Sequence, residues 1–164
     1  MAEMRKNTVN MRSGNDAGWM EQALEQARLA GAAGEVPVGA LVIKDGEIVG
    51  RGHNRNLLDR DPTAHAEIVA LRQAAARIGN HRLGECTVYA TIEPCSMCAG
   101  ALIHARVSRL VYGASDPKAG AAGSALQVLN HPNLNHKMDV TAGVLAERCS
   151  AILQEFFRQR RQSG

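Results

Sequence analysis

The stretch "CTVYATIEPCSMCAGALIHARVSRLVYGAS", residues 86–115, decides the fold. Its first part, "CTVYATI", is a short apolar run typical of a buried strand, "CSMCAGALIHARV" is typical of a helix, and "RLVYGAS" is typical of another strand. A strand, a helix and a strand in this order form a βαβ unit, in which the two strands lie parallel in one sheet. The stretch therefore predicts an α/β fold.

The residues before this unit add antiparallel strands and two helices. "VPVGALVIKDGEIVGRGHN", residues 36–54, holds two β-rich runs around Asp45-Gly46, a two-residue turn suited to a tight hairpin. An apolar stripe from Trp19 to Ala30 predicts a first helix, and a stripe from Ile68 to Ile78 predicts a second helix that ends near Gly79-Asn80. Parallel and antiparallel pairs together imply a mixed sheet.

The two ends of the chain carry weaker signals. Beyond a Gly-rich loop, Leu126 to Leu129 are predicted as a short helix, "KMDVT" as an edge strand, and the stripe from Leu145 to Phe156 as the final helix. Residues 1–16 lack apolar periodicity and are predicted as a flexible tail. We expect a single domain over residues 17–164.

The composition limits the class of protein. With 164 residues, 45% of them hydrophobic and 21% charged, the chain has the size and composition of one globular domain. No apolar run approaches the roughly 20 residues that span a bilayer, and the polar start does not resemble a signal peptide, so we expect a cytoplasmic protein without a membrane partner. In a reducing compartment, the four cysteines favour metal binding, catalysis or burial over disulfides. A net charge of +3 permits RNA binding but does not require it.

Two short motifs carry the chemistry, "HAE" at residues 65–67 and "PCSMC" at residues 94–98. Each lies at the start of a predicted helix, where free backbone N–H groups and the positive end of the helix dipole face the same space. Cys95 and Cys98 are three residues apart and share one helix face, and the helix N-terminus lowers the pKa of a thiol toward the thiolate that a metal needs. Two helix starts can therefore converge on one ion through His65, Cys95 and Cys98, with Glu67 left over.

Three nitrogen and sulfur ligands suit zinc, and a structural zinc site normally closes with a fourth protein ligand. No fourth ligand is evident in the sequence. Zinc with an open position holds water and lowers its pKa to roughly 7, and Glu67 is then placed to accept and return the proton. Taken alone, the C-x-x-C also fits a redox pair or half of a structural zinc site, and a lone histidine at a helix start is usually a cap or a surface residue.

The joint pattern of H-x-E and P-C-x-x-C resembles the signature of the zinc-dependent nucleobase deaminases. The resemblance extends through "EVPVGALVI", "HNR", "DPTAHAEIVALRQAA", "TIEPCSMCAGALIHARVSRLVYGASDPKAGAAGS" and "FFRQRR". Within this superfamily the chain most resembles the bacterial deaminases that act on adenosine in tRNA. The resemblance implies a cytidine deaminase-like three-layer α/β/α sandwich with a mixed five-stranded sheet, one zinc ion per chain and a homodimer. It also implies that the wobble adenosine, position 34, of the arginine tRNA with an ACG anticodon becomes inosine.

The resemblance also implies roles for individual residues. Glu67 moves the proton, and the residues expected around the substrate are Val38, Asn54, Ala66, Ile92, Asp116, Phe157 and Arg160. Among these, Asn54 and the Ala66 N–H group would face the base, Val38 and Ile92 would form walls, and Asp116 would lie near the ribose. Without the resemblance, Asn54 and Asp116 are equally typical of turns, Phe157 of a wider core stripe, and the arginines near it of a solvated helix end.

Two other functions remain open on the sequence. A deaminase of a free base or nucleoside, such as guanine, cytosine or cytidine, shares the zinc ligands and the glutamate. A non-catalytic, zinc-stabilised RNA-binding module is the alternative from a different class. Glu67 argues against such a module, because a purely structural site does not need an acid beside an open ligand position.

Overall fold

The computed structural model describes residues 2–163, with side chains described for residues 15–163. The helices are α1 (Ala2–Ala32), α2 (Ala66–Ile78), α3 (Ser96–Ala105) and α4 (Ala146–Ser163). The strands are β1 (Gly39–Lys44), β2 (Glu47–His53), β3 (Thr87–Ile92), β4 (Arg109–Ala114) and β5 (Asp139–Thr141). Among the helices in this part of the chain, none is both long and apolar enough to cross a membrane.

The five strands form one mixed sheet in the order β2-β1-β3-β4-β5. β1 pairs antiparallel with both β2 and β3, whereas β4 pairs parallel with both β3 and β5. The predicted hairpin, βαβ unit and edge strand are therefore confirmed, as is the mixed five-stranded sheet.

Local backbone geometry explains where two of these elements turn or end. Asp45 and Gly46 have positive φ angles of 51° and 73°, the conformation that a two-residue type I′ hairpin turn requires at both positions. Helix α2 ends at Gly79, whose φ is 76° and whose N–H group donates to the Ala75 carbonyl. Both features follow the sequence signals at these positions.

Helices cover both faces of the sheet because alternate strand residues point to opposite sides. On one face, Val42 and Val88 belong to a core cluster with residues of α2 and α3 such as Ala70 and Leu102. On the other face, the strand residues pack against α1 and α4 in a second cluster that includes Met20, Leu24, Leu41, Tyr89, Val111 and Cys149. The result is the expected three-layer α/β/α sandwich.

Two glycines let helices approach the sheet closely. A Cβ atom on Gly39 of β1 would lie 2.0 Å from the Ala23 carbonyl oxygen in α1. On the opposite face, a Cβ atom on Gly52 of β2 would lie 2.3 Å from the carbonyl oxygen of Ala66, the first residue of α2. The absence of a side chain at Gly52 thus allows α2 to begin directly over β2, beside Asn54.

The flexible tail predicted over residues 1–16 stays a prediction, and one residue at its end, Asp16, contacts the sheet. Most of the predicted flexible tail, residues 1–16, lies outside the residues whose side chains are described. Asp16 is described, and it is a buried residue of α1 that accepts hydrogen bonds from Tyr89 and from the Arg109 guanidinium. The carboxylate attaches α1 to β3 and β4.

The prediction of a short helix from Leu126 to Leu129 is wrong. This segment is a tight loop in which Ala122 and Gln127 form an isolated antiparallel bridge. The N–H groups of Ala125 and Leu126 both donate to the Gly120 carbonyl, so the i to i−4 pattern of a helix does not form. Within this segment, Leu129 is buried and packs in the core.

Candidate active site

The two chemical motifs lie at the starts of α2 and α3. His65 is the N-cap residue of α2 and Cys95 is the N-cap residue of α3, both with extended backbones, at φ −72° and ψ 156° and at φ −71° and ψ 176°. Neither side chain forms a capping hydrogen bond with its own helix. A residue at an N-cap usually turns its side chain back onto the helix. Here the two side chains are directed toward each other instead.

The ligand group consists of His65, Cys95 and Cys98, whose potential metal-binding atoms lie close together. The Nδ1 atom of His65 lies 3.5 Å from the Sγ atom of Cys95 and 3.4 Å from that of Cys98. Tetrahedral zinc with its usual bond lengths to nitrogen and sulfur separates these two atoms by about 3.5 Å. Within the described residues, these three form the group of histidine, cysteine and acidic side chains that fits a metal ion. The predicted convergence of two helix starts is confirmed in this geometry.

The thiols are electrostatically coupled to each other and to the histidine. Hydrogen bonds from Cys98 and from His65 lower the pKa of Cys95 to about 3, and the backbone N–H of Cys98 contributes to the same effect. The pKa of Cys98 is raised, because it shares its hydrogen with Cys95 and because it is buried. The hydrogen bond with Cys95 also raises the pKa of His65. A site that stabilises one thiolate in this way is suited to a cation.

Glu67 lies in the first turn of α2, and only 3% of it is exposed. Burial raises the pKa of its carboxyl group. Its side chain borders the same cavity as His65 and Cys95 and is not a member of the ligand group. A buried carboxyl group with a raised pKa beside a group of potential metal ligands is suited to general acid and base chemistry.

A cavity of about 500 Å³ opens above these residues. Its lining includes eight of the residues named from the sequence: Val38, Asn54, His65, Glu67, Ile92, Cys95, Asp116 and Phe157. These residues come from loops, strand ends and helices spread over most of the chain. The fold therefore brings them together around one space, which His65, Cys95 and Glu67 all border.

Comparisons with known proteins agree on the family. The model of the MafB19-like deaminases matches residues 14–161. The chain is 50% identical over 157 residues to the tRNA-specific adenosine deaminase of Haemophilus influenzae, covering 95% of this chain and 91% of that protein. The chain belongs to the tRNA-specific adenosine deaminases. Such a degree of identity over nearly the whole length places this deaminase well within the family.

Two solved structures are similar to this deaminase in three dimensions. One comes from a study of A-to-I editing by tRNA:A34 deaminases at the wobble position, with a TM-score of 0.79, 44% identity, and coverage of 82% of this chain and 97% of that chain. The other is a guanine deaminase from Nitrosomonas europaea, with a TM-score of 0.71, 32% identity, and coverage of 84% and 81%. The fold is thus shared by deaminases that act on different purines.

Asn54 and Ala66 of the deaminase contact each other. The Oδ1 atom of Asn54 accepts a hydrogen bond of 2.9 Å from the Ala66 N–H group, and the Asn54 N–H group donates to the Val38 carbonyl. The Ala66 N–H, which was expected near the reacting edge of the base, is thus used to fix the Asn54 side chain. Asn54 also borders the cavity, and its amide NH₂ group is not used in this hydrogen bond.

Phe157 and Arg160 lie on the last turns of α4 in different environments. Phe157 is 44% exposed and borders the cavity, so it does not belong to the core stripe. Arg160 donates to the Gly34 carbonyl at 2.6 Å, and its guanidinium carbon lies 4.8 Å from the centre of the Phe156 ring. A second cavity of about 480 Å³ is lined by Lys118, Phe157, Arg160 and Arg161. Arg160 therefore borders this basic cavity and not the one that holds the ligand group.

Several residues that shape the site are not identified by the sequence motifs. Glu35 is buried and accepts hydrogen bonds from the N–H groups of Leu57 and Leu58, which fixes the loop on the Asn54 side. Glu93 is buried. It borders the cavity together with Asn56 and Lys118. The one sequence signal for Glu93 is its type, because an acidic residue at the end of an apolar strand requires a compensating partner when buried.

Proposed function

We propose that this protein deaminates adenosine hydrolytically to inosine at position 34 of the arginine tRNA with an ACG anticodon. The observation that carries this proposal is that the cavity above the ligand group shares Lys118 and Phe157 with the basic cavity. A free base would need only the first cavity. Lys118, Arg160 and Arg161 supply positive charge in the second, basic cavity. A substrate that fills both cavities would therefore carry phosphates next to the reacting base.

His65, Cys95 and Cys98 would hold one zinc ion per chain. Their interatomic distances support this choice of metal, as does the mixture of one nitrogen and two sulfur donors. When bound, zinc supplies Lewis acidity and lowers the pKa of water. The protein provides the three ligands from two rigid helix starts, which keeps the position of the ion fixed relative to Glu67.

Glu67 would accept a proton from water and deliver it to the ring nitrogen of adenine as the water oxygen bonds to C6. It would then carry the second proton of that oxygen to the amino group, so that the C6–N bond breaks and ammonia leaves. Two features support this role: the residue borders the same cavity as His65 and Cys95, and burial raises the pKa of its carboxyl group. The carboxyl group is held by the first turn of α2, so its distance from His65 is set by the helix backbone. Positioning of this kind reduces the cost of proton transfer.

The remaining cavity residues would bind and orient the nucleotide. Val38 and Ile92 offer apolar surfaces to the faces of the base, and Asn54 is held by Ala66 so that its amide can donate to the base edge. Asp116 borders the cavity and would lie near the ribose. Its Oδ1 atom also accepts from the N–H groups of Lys118 and Ala119, so the turn and the substrate role are compatible.

Phe157 would stack on a base next to the reacting nucleotide, since its ring is exposed between the two cavities. A target base must leave its stack to enter a cavity of this kind, which costs least in an unpaired loop. An anticodon loop meets this condition. A tRNA substrate would place the enzyme in the cytoplasm.

The test is a comparison of substrates with the purified protein. We expect inosine at position 34 of the arginine tRNA, and far slower reaction of free adenosine, cytidine and guanine. The isolated anticodon stem-loop and a messenger RNA with the same loop should be included, with the Glu67→Ala variant as the inactive control. If guanine or a free nucleoside is consumed while the tRNA stays unmodified, the substrate assignment is overturned and the reaction class survives.

We further propose a homodimer, which the family resemblance implies. An apolar groove between α2 and α3 supports it, because Ile68, Leu71, Ala75, Ala101 and other residues line an open space of about 420 Å³ there. Ile68→Glu should convert the dimer to monomer in sedimentation experiments, because it buries a charge in the interface. Leu29→Glu, at an exposed position of α1, is the matched control that should leave the dimer intact. A wild-type monomer would refute this proposal.

A further inference from the structure

Glu93 is a buried acid next to the active site that has no role in the chemistry described above. It follows β3, precedes Pro94 and is only 1% exposed. Its backbone N–H group donates to the Ala114 carbonyl at the end of β4. The side chain borders the cavity that holds the ligand group. A carboxylate in this position is costly unless hydrogen bonds compensate it.

The donors that compensate Glu93 all come from the loop of residues 116–124. Its Oε1 atom accepts from the Asp116 N–H at 3.1 Å, and its Oε2 atom accepts from the N–H groups of Ala122 at 2.9 Å and Ser124 at 3.1 Å. The Ser124 hydroxyl donates to Oε1 as well. One carboxylate therefore connects both ends of a loop to the end of a central strand.

A second observation shows how closely the 116–124 loop approaches the Glu93 carboxylate. A Cβ atom on Gly120 would lie 2.4 Å from the carboxyl carbon of Glu93 and 2.6 Å from the Asp116 carbonyl oxygen. The loop thus closes around the carboxylate so tightly that a side chain at residue 120 would collide with it. From the other side, the Ala121 N–H group donates to the Pro94 carbonyl at 2.8 Å.

The same loop supplies substrate-facing residues to both cavities. Asp116, Lys118 and Ala119 line the cavity above the ligand group, and Lys118 also lines the basic cavity. Lys118 and Ala119 are exposed and follow the turn that Asp116 caps. Their placement depends on the ends of the loop, which Glu93 holds.

We propose that Glu93 is a positioning residue that fixes the 116–124 loop as a wall of the active site and thereby sets the affinity for the RNA substrate. The role is separate from proton transfer and from metal binding. The part that concerns affinity rests on the proposed RNA substrate. The part that concerns the loop depends only on the hydrogen bonds of Glu93 and can be tested without substrate.

The experiment compares Glu93→Gln with wild type in hydrogen exchange and in steady-state kinetics. Glutamine keeps the size of the side chain but replaces one acceptor oxygen with an NH₂ group, which cannot accept from the loop amides. Exchange should become faster at the amides of Ala122 and Ser124, and the KM for the tRNA should rise about tenfold with a smaller change in kcat. Zinc content should stay at the wild-type level.

Two further variants keep the inference falsifiable. Gly120→Ala displaces the loop without changing the carboxylate and should reproduce the faster exchange and the higher KM, even if Glu93→Gln fails to fold. Glu85→Gln removes an exposed carboxylate near the other end of β3 and is the matched control, which should match wild type in every measurement.

The outcomes separate this inference from the proposed function. Unchanged exchange in Glu93→Gln would overturn the inference, whatever the activity. Faster exchange with an unchanged KM would overturn the role in affinity, and loss of zinc would assign Glu93 to the ligand group instead. A wild-type protein inert on RNA would refute the proposed substrate and the affinity role with it, while the exchange data would still decide whether Glu93 holds the loop.

Discussion

The base of the active site and its rim are built in different ways. The base consists of His65, Glu67, Cys95 and Cys98, which lie in or next to the first turns of α2 and α3, and Glu67 and Cys98 are 3% and 0% exposed. The rim consists of Lys118, Phe157, Arg160 and Arg161, on a loop and at the end of α4. The residues of the base lie at helix starts and are at least partly buried, whereas those of the rim are exposed.

This difference predicts how each region responds to substitution. In the proposed function, the groups at the base would act together on one reacting atom, so that removing one of them should leave the others without function. Groups at the rim are separate contacts in a solvated surface, each with a small and nearly independent contribution. The expected effects therefore fall from the base to the rim.

The largest effect should follow loss of a metal ligand. Cys95→Ser and Cys98→Ser should lose zinc and all measurable deamination, and should unfold at lower temperature, because the free energy of metal binding is part of the free energy of folding. Metal analysis and thermal unfolding check this result. Cys86→Ala, at a buried cysteine away from the site, is the matched control and should retain zinc. Stoichiometric zinc in both serine variants would exclude these cysteines as ligands.

Loss of Glu67 should affect the chemistry and nothing else. Glu67→Ala is expected to keep zinc and tRNA affinity while turnover falls on the order of 10²-fold or more, the usual contribution of one acid and base group. Single-turnover kinetics, with binding measured separately, distinguishes the two properties. Considerable residual activity at neutral pH would show that another group moves the proton, and weaker binding would mean that the residue also holds substrate.

Phe157 should have the largest single effect at the rim. Phe157→Ala removes an exposed ring that can stack on a base, and stacking contributes about 1–3 kcal/mol, so tRNA affinity should fall roughly 5- to 150-fold. Activity at saturating tRNA should change little, since the base of the site is intact. Leu29→Ala, another exposed apolar residue, is the control. An unaffected dissociation constant would place Phe157 outside the RNA contact.

The smallest effect should come from single basic residues. Arg161 lines the basic cavity, whereas Arg158 forms an ion pair with Glu155 and does not line it. Arg161→Gln should reduce the salt dependence of RNA binding by a slope of about 0.7–1, the value for one lost phosphate contact, and Arg158→Gln should leave the slope unchanged. Equal slopes for the two variants would remove the distinction between these neighbouring arginines.

The sequence predicted the elements whose signals are local. The Asp45-Gly46 turn, the end of α2 at Gly79 and each separate element of the βαβ unit follow from residue types close together in the chain. The helix at Leu126 to Leu129 was predicted from the same kind of local pattern and is wrong. The amides of Ala122 and Ser124 in the preceding loop donate to Glu93, about thirty residues earlier in the chain, and nothing in the local pattern shows this.

The sequence by itself singled out His65, Glu67, Cys95 and Cys98, because the H-x-E and P-C-x-x-C spacings at two predicted helix starts indicate which of these side chains can meet. Only the tertiary structure decided how the rim is assembled. It joined the two cavities through Lys118 and Phe157, separated Arg158 from Arg161, and placed Glu93 within reach of the 116–124 loop. The physical reason is that these contacts join segments far apart in the chain, and their geometry depends on how the helices and loops pack against the sheet.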